Sequence, residues 1–324
     1  MSIDSASGLT APEPSPARAV PRLPESSIRR NQRLLIRLGW LYSAPALLLV
    51  AAVTIFPIVF SVVMSLSHVT LSSSGFALGG FTGSNYAVMF GSQLWRYALT
   101  FTLAYTFGTV LVEIIFGTLV ALVLERLTIA RGWLMALLLI PWAMVTVISA
   151  ELWDYVYNGV YGAGTSILND LGMHQPNLLG TPTAAIISMA AADIWKTTPF
   201  VSIIVVSGLV MLSVELTEAA RIDGANGWQV FWRVTLPQLR PTLALAVLFR
   251  ILQAFGLFDL PYVLTGGGPG NKTESLALLG WQTIFSDLDF GPGAAVAVST
   301  AALTLIGCLL FLKVFRSQVG KEEL

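Results

Sequence analysis

Six long apolar runs organise this sequence, at 40–66, 97–124, 133–157, 184–212, 242–264 and 291–315. A helix crossing about 30 Å of hydrocarbon needs roughly 20 predominantly apolar residues. Each run is long enough, so the pattern predicts an all-α polytopic membrane protein of six transmembrane helices. Pro45, Pro57, Pro141 and Pro199 lie within or near the ends of these runs. Membrane helices tolerate proline where neighbouring groups or water satisfy the freed carbonyl. The first run begins only at Trp40 and others follow it, unlike a cleavable signal with its short apolar stretch near the start. Residues 1–39 are rich in Pro, Ser, Ala and Arg and are expected to form a disordered basic tail. Residues 40–315 form the six-span domain, and 316–324 a short C-terminal tail.

Composition supports this picture and narrows the function. Only 11% of the 324 residues are charged, against roughly 25% in an average soluble domain. The net charge is zero, whereas nucleic-acid binders carry a basic surplus, so no nucleic-acid partner is expected. Cys308 is the only cysteine, and His68 and His174 lie far apart, so no metal site is expected.

Most of the 18 Lys and Arg residues fall in alternate segments. Arg18, Arg22, Arg29, Arg30, Arg33 and Arg37 precede the first run, and Arg126 and Arg131 follow the second. Arg221, Arg233 and Arg240 follow the fourth, and Lys313, Arg316 and Lys321 close the chain. The positive-inside rule then places both termini in the cytoplasm. Trp95, Trp153, Tyr155, Tyr157 and Trp281 lie near the predicted interfaces, where amphipathic rings anchor.

The segment between the fourth and fifth runs reads as two short helices around a glycine turn. Ser213 is placed to cap the first, and Glu215 falls where the helix dipole favours an anion. Gly224 suits the positive φ that ends this helix, Asn226 is placed to cap the second, and Pro237 is expected to stop it. Two amphipathic helices projecting from a chain with no soluble domain need something to dock against.

Glu218-Ala219-Ala220, Gly224, Val234 and Leu236-Pro237 have the spacing of the cytoplasmic loop of ABC importer permeases, with Val234 where the pattern usually has Ile. Over roughly residues 40–315 the chain resembles the carbohydrate-uptake type, the membrane subunits of maltose, trehalose and glycerol-3-phosphate importers. Supporting pieces are the stretch Phe81–Tyr86, the stretch Trp195–Phe200, and Asp259 followed by Thr265–Pro269. The resemblance implies a type I ABC importer permease fold in a bacterial plasma (inner) membrane. Glu218, Ala219, Ala220, Asp223, Gly224, Leu236 and Pro237 would couple to a separate ATP-hydrolysing subunit. The chain itself would be no enzyme and would hold no cofactor, ATP and Mg being bound by that partner. The implied assembly has a second homologous permease, two ATPase copies and an extracytoplasmic solute-binding lipoprotein. That lipoprotein would meet Gly266, Gly267, Gly268 and Pro269 and the 158–183 loop. The run Gly266–Thr273 is no P-loop, because Asn271 separates Gly270 from Lys272.

Ionisable residues within a membrane are costly and mark functional sites by default. Here they are Glu113, Glu151, Asp154, Asp193, Lys196, Arg250 and Asp259. Asp193 and Lys196 are three apart and able to pair on one helix face, while Glu151 and Asp154 are likewise three apart near the outer end of the third run, where water is close. Glu113 and Arg250 have each other or a second permease as partners. In one reading Asp193, Lys196, Arg250, Gln253 and Asp259 line a path for a small polar substrate; in the other they are structural pairs, a role that suits Glu113 best. The expected function is import of a disaccharide or similar sugar. The alternatives are glycerol-3-phosphate or another polar solute, and a proton-coupled secondary transporter.

Overall fold

A computed structural model describes residues 25–72, 75–127, 129–173 and 177–319. The chain divides into two units, Met1–Ile58 and Val59–Leu324. In the first, the described residues are helical throughout, within α1 (Glu25–Ser65). The disordered tail expected over 1–39 is therefore corrected for 25–39, where Arg, Leu, Gln and Glu supply good helix formers. Residues 1–24 of that tail lie outside the described residues. At the other end the last helix continues to Val319, so the tail expected from 316 is helical for its first four residues.

After the end of α1 the second unit carries a β-hairpin that the apolar pattern does not announce. Strand β1 (Ser67–Ser72) pairs antiparallel with β2 (Gly75–Phe81) in the register Val69↔Leu78 and Thr70↔Ala77. Helix α2 (Ser84–Gly91) holds the hairpin's base, because Asn85 Nδ2 donates to the carbonyls of Ser65 and Ser67 at 2.9 and 3.0 Å.

The long helices follow. Helix α3 (Gln93–Arg126) is capped by Ser92, whose hydroxyl accepts from the Trp95 N–H. The run predicted at 133–157 is two helices, α4 (Arg131–Ala143) and α5 (Thr146–Tyr157), which meet at 90°. Pro141, which cannot donate to the preceding turn, weakens the end of α4 just before the break. A short α6 (Ala163–Asp170) precedes α7 (Pro182–Val210), which opens on Thr181 as cap and Pro182 in its first turn. Beyond the loop helices described below lie α10 (Leu236–Phe255), α11 (Asp259–Leu264), α12 (Leu276–Phe285) and α13 (Phe290–Val319).

Among the described residues four helical stretches are long and apolar enough to span a bilayer: Leu35–Ser65, Gln93–Arg126, Pro182–Val210 and Phe290–Phe315. The bent pair α4–α5 makes a fifth when taken as one span. The remaining predicted run, 242–264, is divided between α10 and α11, and Arg240, Arg250, Gln238 and Gln253 make α10 more polar than the others.

Helix α7 sits at the centre of the second unit. Its Met189 and Ala192 join Phe101 and Tyr105 of α3, Ala150 and Tyr157 of α5 and Leu260 of α11 in one apolar cluster. Val201, Val205 and Leu209 join Ala121 and Leu124 of α3 and Leu239 and Ala246 of α10 in another. Lipid supplies no hydrophobic drive for helix pairing, so close approach through small residues does much of the work. Gly117 of α3 permits it: a Cβ there would lie 2.5 Å from Val201 Cγ1.

Candidate functional site

The loop between α7 and α10 is built by local hydrogen bonding. Helix α8 (Val214–Ile222) has Glu215 in its first turn and Arg221 in its last, both complementing the helix dipole. Ser213 occupies the cap position, but its side chain makes no capping bond, contrary to the expectation from sequence. The C-terminus closes with Gly224 at φ +86°. The Gly224 N–H donates to Arg221 O at 3.0 Å, and the Ala225 N–H reaches back to Ala220 O at 2.9 Å. This paired arrangement is the Schellman closure, and it needs a left-handed residue at position 224. Helix α9 (Gly227–Val230) starts with a capping box in which Asn226 and Gln229 bond each other's backbone N–H at 2.9 Å.

Pro237 does not stop this second helix. Helix α9 runs through a π-helical turn, Phe231–Thr235, directly into α10, where Leu236 and Pro237 occupy the opening turn. There the missing N–H of proline costs little. Glu218, Ala219, Asp223 and Gly224 are exposed and Ala220 is partly buried. Ile222 is 86% exposed and Trp228 71%.

Two of the intramembrane carboxylates, Glu113 and Asp193, converge on Arg250. Its guanidinium forks onto Glu113 of α3: Nε bonds Oε2, and Nη2 donates to Oε1 at 2.7 Å. Nη2 also lies 3.5 Å from Asp193 Oδ2 of α7, and Nη1 donates to Gln253 Oε1 at 3.0 Å. The Thr197 hydroxyl is 2.7 Å from Glu113 Oε1. Arg250 is 2% exposed and Glu113 0%, so the fork is sealed from its surroundings. Asp193 therefore finds its partner across helices and not in Lys196. Lys196 and Asp259 are partly buried and Gln253 is exposed. Spacing alone does not reveal the Glu113–Arg250 fork, whose members are 137 positions apart.

The glycine segment after α11 is a tied structure. Gly266, Gly267 and Gly270 and Asn271 have positive φ, and the Gly268–Pro269 peptide is cis. Thr273 Oγ1 bonds Gly268 O at 2.7 Å and meets Thr265 Oγ1 at 2.6 Å. Tyr97 of α3 donates to Lys272 O at 3.0 Å, and Ser275 to Leu257 O at 2.5 Å. Gly267 is buried, Gly268 and Pro269 are partly so, and Gly266 is exposed. Glu274, which no sequence motif singles out, is wholly buried. Among the described residues neither of its carboxylate oxygens has a hydrogen-bond partner. Burial pushes this carboxyl up to about 7. Gly267 makes room for it, since a Cβ there would lie 1.9 Å from Oε2. Of the 158–183 loop, residues 174–176 lie outside the described residues.

Residues 114–317 match the model of a family described as the binding-protein-dependent transport system inner membrane component. The chain belongs to this family. As a permease it is 38% identical over 281 residues to the trehalose/maltose transport system permease protein MalF of Thermococcus litoralis, covering 86% of this chain and 94% of that protein. It is 34% identical to the trehalose transport system permease protein SugA of Mycobacterium tuberculosis, covering 86% and 89%. Against the sulfoquinovosyl glycerol transport system permease protein SmoG of Agrobacterium fabrum it is 32% identical, covering 94% and 99%. The fold matches the crystal structure of a bacterial ABC transporter involved in alginate import, with a TM-score of 0.75 at 19% identity, over 90% of the permease and 98% of that chain. The resemblance drawn from the loop motif thus holds, and with it the membrane-embedded permease fold.

Proposed function

We propose that this permease is one membrane subunit of an ATP-driven carbohydrate importer. It supplies half of the translocation path and couples to ATPase subunits through α8 and the turn at Gly224. One observation carries the reading: a well-formed helix with the permease-loop motif stands out from the bundle, closed by a Schellman turn and exposing Ile222 and Trp228. Exposed apolar side chains beside acidic ones suit docking onto another protein. The relatives named for trehalose, maltose and sulfoquinovosyl glycerol support a sugar or glycoside as substrate.

The remaining parts follow from this role. A second homologous permease completes the path, two ATPase copies bind ATP and Mg, and a solute-binding lipoprotein delivers substrate against Gly266–Pro269. Both termini face the cytoplasm. Lys196, Gln253 and Asp259 offer polar groups to sugar hydroxyls, while Asp193 and Arg250 hold that wall in place, Arg250 through its bond to Gln253. ATP hydrolysis in the partner moves α8, and the helices rock between inward-open and outward-open states. A proton-coupled carrier needs a mid-span carboxylate free to gain and lose a proton, but Glu113 and Asp193 are both tied to Arg250.

Reconstitution with its partners in proteoliposomes tests this. Uptake is expected to require ATP and the ATPase subunits. Uptake driven by a proton gradient alone would overturn it.

A further inference from the structure

A cavity of about 550 Å³ lies beneath α8, within the range of about 300–1,000 Å³ typical of small-molecule sites. It is walled by the end of α3 (Leu119, Leu122, Glu125, Arg126) and the end of α7 (Leu209). Val214, Thr217 and Arg221 of α8, spaced three and four apart, form its roof, and Trp228 its side. Glu215, Glu218 and Ile222 of the same helix do not line it. The cavity therefore separates the exposed docking face from the helices it has to move.

Its lining is amphipathic in a particular order. Leucines form the floor, and two guanidiniums and one carboxylate, Glu125, sit among the lining groups. Among the described residues neither Arg126 nor Arg221 forms an ion pair or a side-chain hydrogen bond. Guanidiniums, leucines and an indole gathered around one cavity have the chemistry of the headgroup boundary.

We propose that this cavity binds an anionic phospholipid of the adjoining leaflet. Its phosphate sits between Arg126 and Arg221, and its first methylenes lie on Leu119, Leu122 and Leu209. The inference rests on the importer reading for its consequence: the bound lipid braces α8 against α3 and α7, so that motion of α8 reaches the spans. A free phosphate would engage the guanidiniums but leave the leucine floor empty.

Two readouts test it. The purified chain is exchanged into phosphatidylcholine nanodiscs with and without phosphatidylglycerol, and retained lipid is read by native mass spectrometry. Phosphatidylglycerol should be retained by the wild type and lost from Arg126→Gln/Arg221→Gln, whose substitutions are at exposed positions and leave the bundle intact. In the assembled transporter, phosphatidylglycerol should raise substrate uptake per ATP hydrolysed severalfold in the wild type but not in the double variant. Equal retention by both proteins, or an equal rise, overturns the site. Competition by inorganic phosphate as effective as that by phosphatidylglycerol overturns the lipid assignment in favour of a soluble anion. Lipid retention is read on a chain that need not transport, so failure of the importer reading leaves this result standing on its own.

Discussion

The Arg250 network and the loop carrying α8 place polar and apolar groups in opposite ways. In the network, charge is buried and answered from within the chain: Glu113, Asp193 and Gln253 all bond one guanidinium. In the loop, apolar side chains are exposed and no described residue covers them, with Ile222 86% and Trp228 71% accessible. Lipid offers no partner to an ion, so a charge inside the membrane has to be compensated by its own bundle. An apolar residue on a water-facing helix is compensated only when a second protein arrives. The network is thus closed among the described residues, whereas on the proposed reading the loop is half of an interface.

The sharpest way to break that contrast is to damage the loop without touching the bundle. Gly224→Pro cannot adopt φ +86° and loses the N–H that bonds Arg221 O. This variant and Glu218→Lys should both abolish ATP-driven uptake in proteoliposomes while the protein still inserts and melts like wild type. Uptake at the normal rate would mean the loop is no interface.

The network predicts the reverse pattern, a loss of stability that precedes any question of activity. Removing one partner of a buried pair typically costs about 3–5 kcal/mol, so Arg250→Ala should lower the midpoint of denaturation strongly. Glu113→Ala/Arg250→Ala should lose much less than the sum of the single changes. Strict additivity in that cycle would remove the coupling inferred from the geometry.

A smaller effect tests how the bundle is held together. A Cβ on Gly208 of α7 would lie 2.5 Å from Thr242 Oγ1 of α10. Gly208→Val should cost about 1–3 kcal/mol, the usual range for overpacking, and Thr242→Ala should relieve part of it. No relief would place the strain elsewhere.

The smallest effect concerns Glu274, a buried carboxyl with no hydrogen-bond partner among the described residues, unlike Glu113. Its ordinary value of 4.5 is raised to about 7 by burial. The folded protein therefore holds this proton to higher pH than the unfolded chain does. Its contribution is fully present below about 4.5 and declines as pH rises toward about 7. Thermal melts across this window should show wild type losing stability with rising pH and Glu274→Gln following a flatter course. Identical slopes would show that the carboxyl does not titrate there.

The same contrast explains what the sequence disclosed. Four of the six predicted runs were legible as long helices because lipid enforces long apolar runs, and the α8 turn because its closure demands Gly224 and the next helix a cap at Asn226. Pro237 misled because a proline after a helix and a proline opening the next one look alike in sequence, and the π-helical turn joins the two without a gap. The break between α4 and α5 hides inside one apolar run, since hydrophobicity reports depth and not direction. The Glu113–Arg250 fork and the burial of Glu274 arise from helices meeting in space, which no local spacing encodes.

The most direct test of the central claim is cross-linking from the loop in the assembled transporter. A photoreactive or cysteine-directed probe at position 218 or 222 is predicted to capture an ATP-hydrolysing subunit, with a yield that changes when nucleotide is bound. Capture confined to lipid or to the second permease, unaffected by nucleotide, would contradict the account.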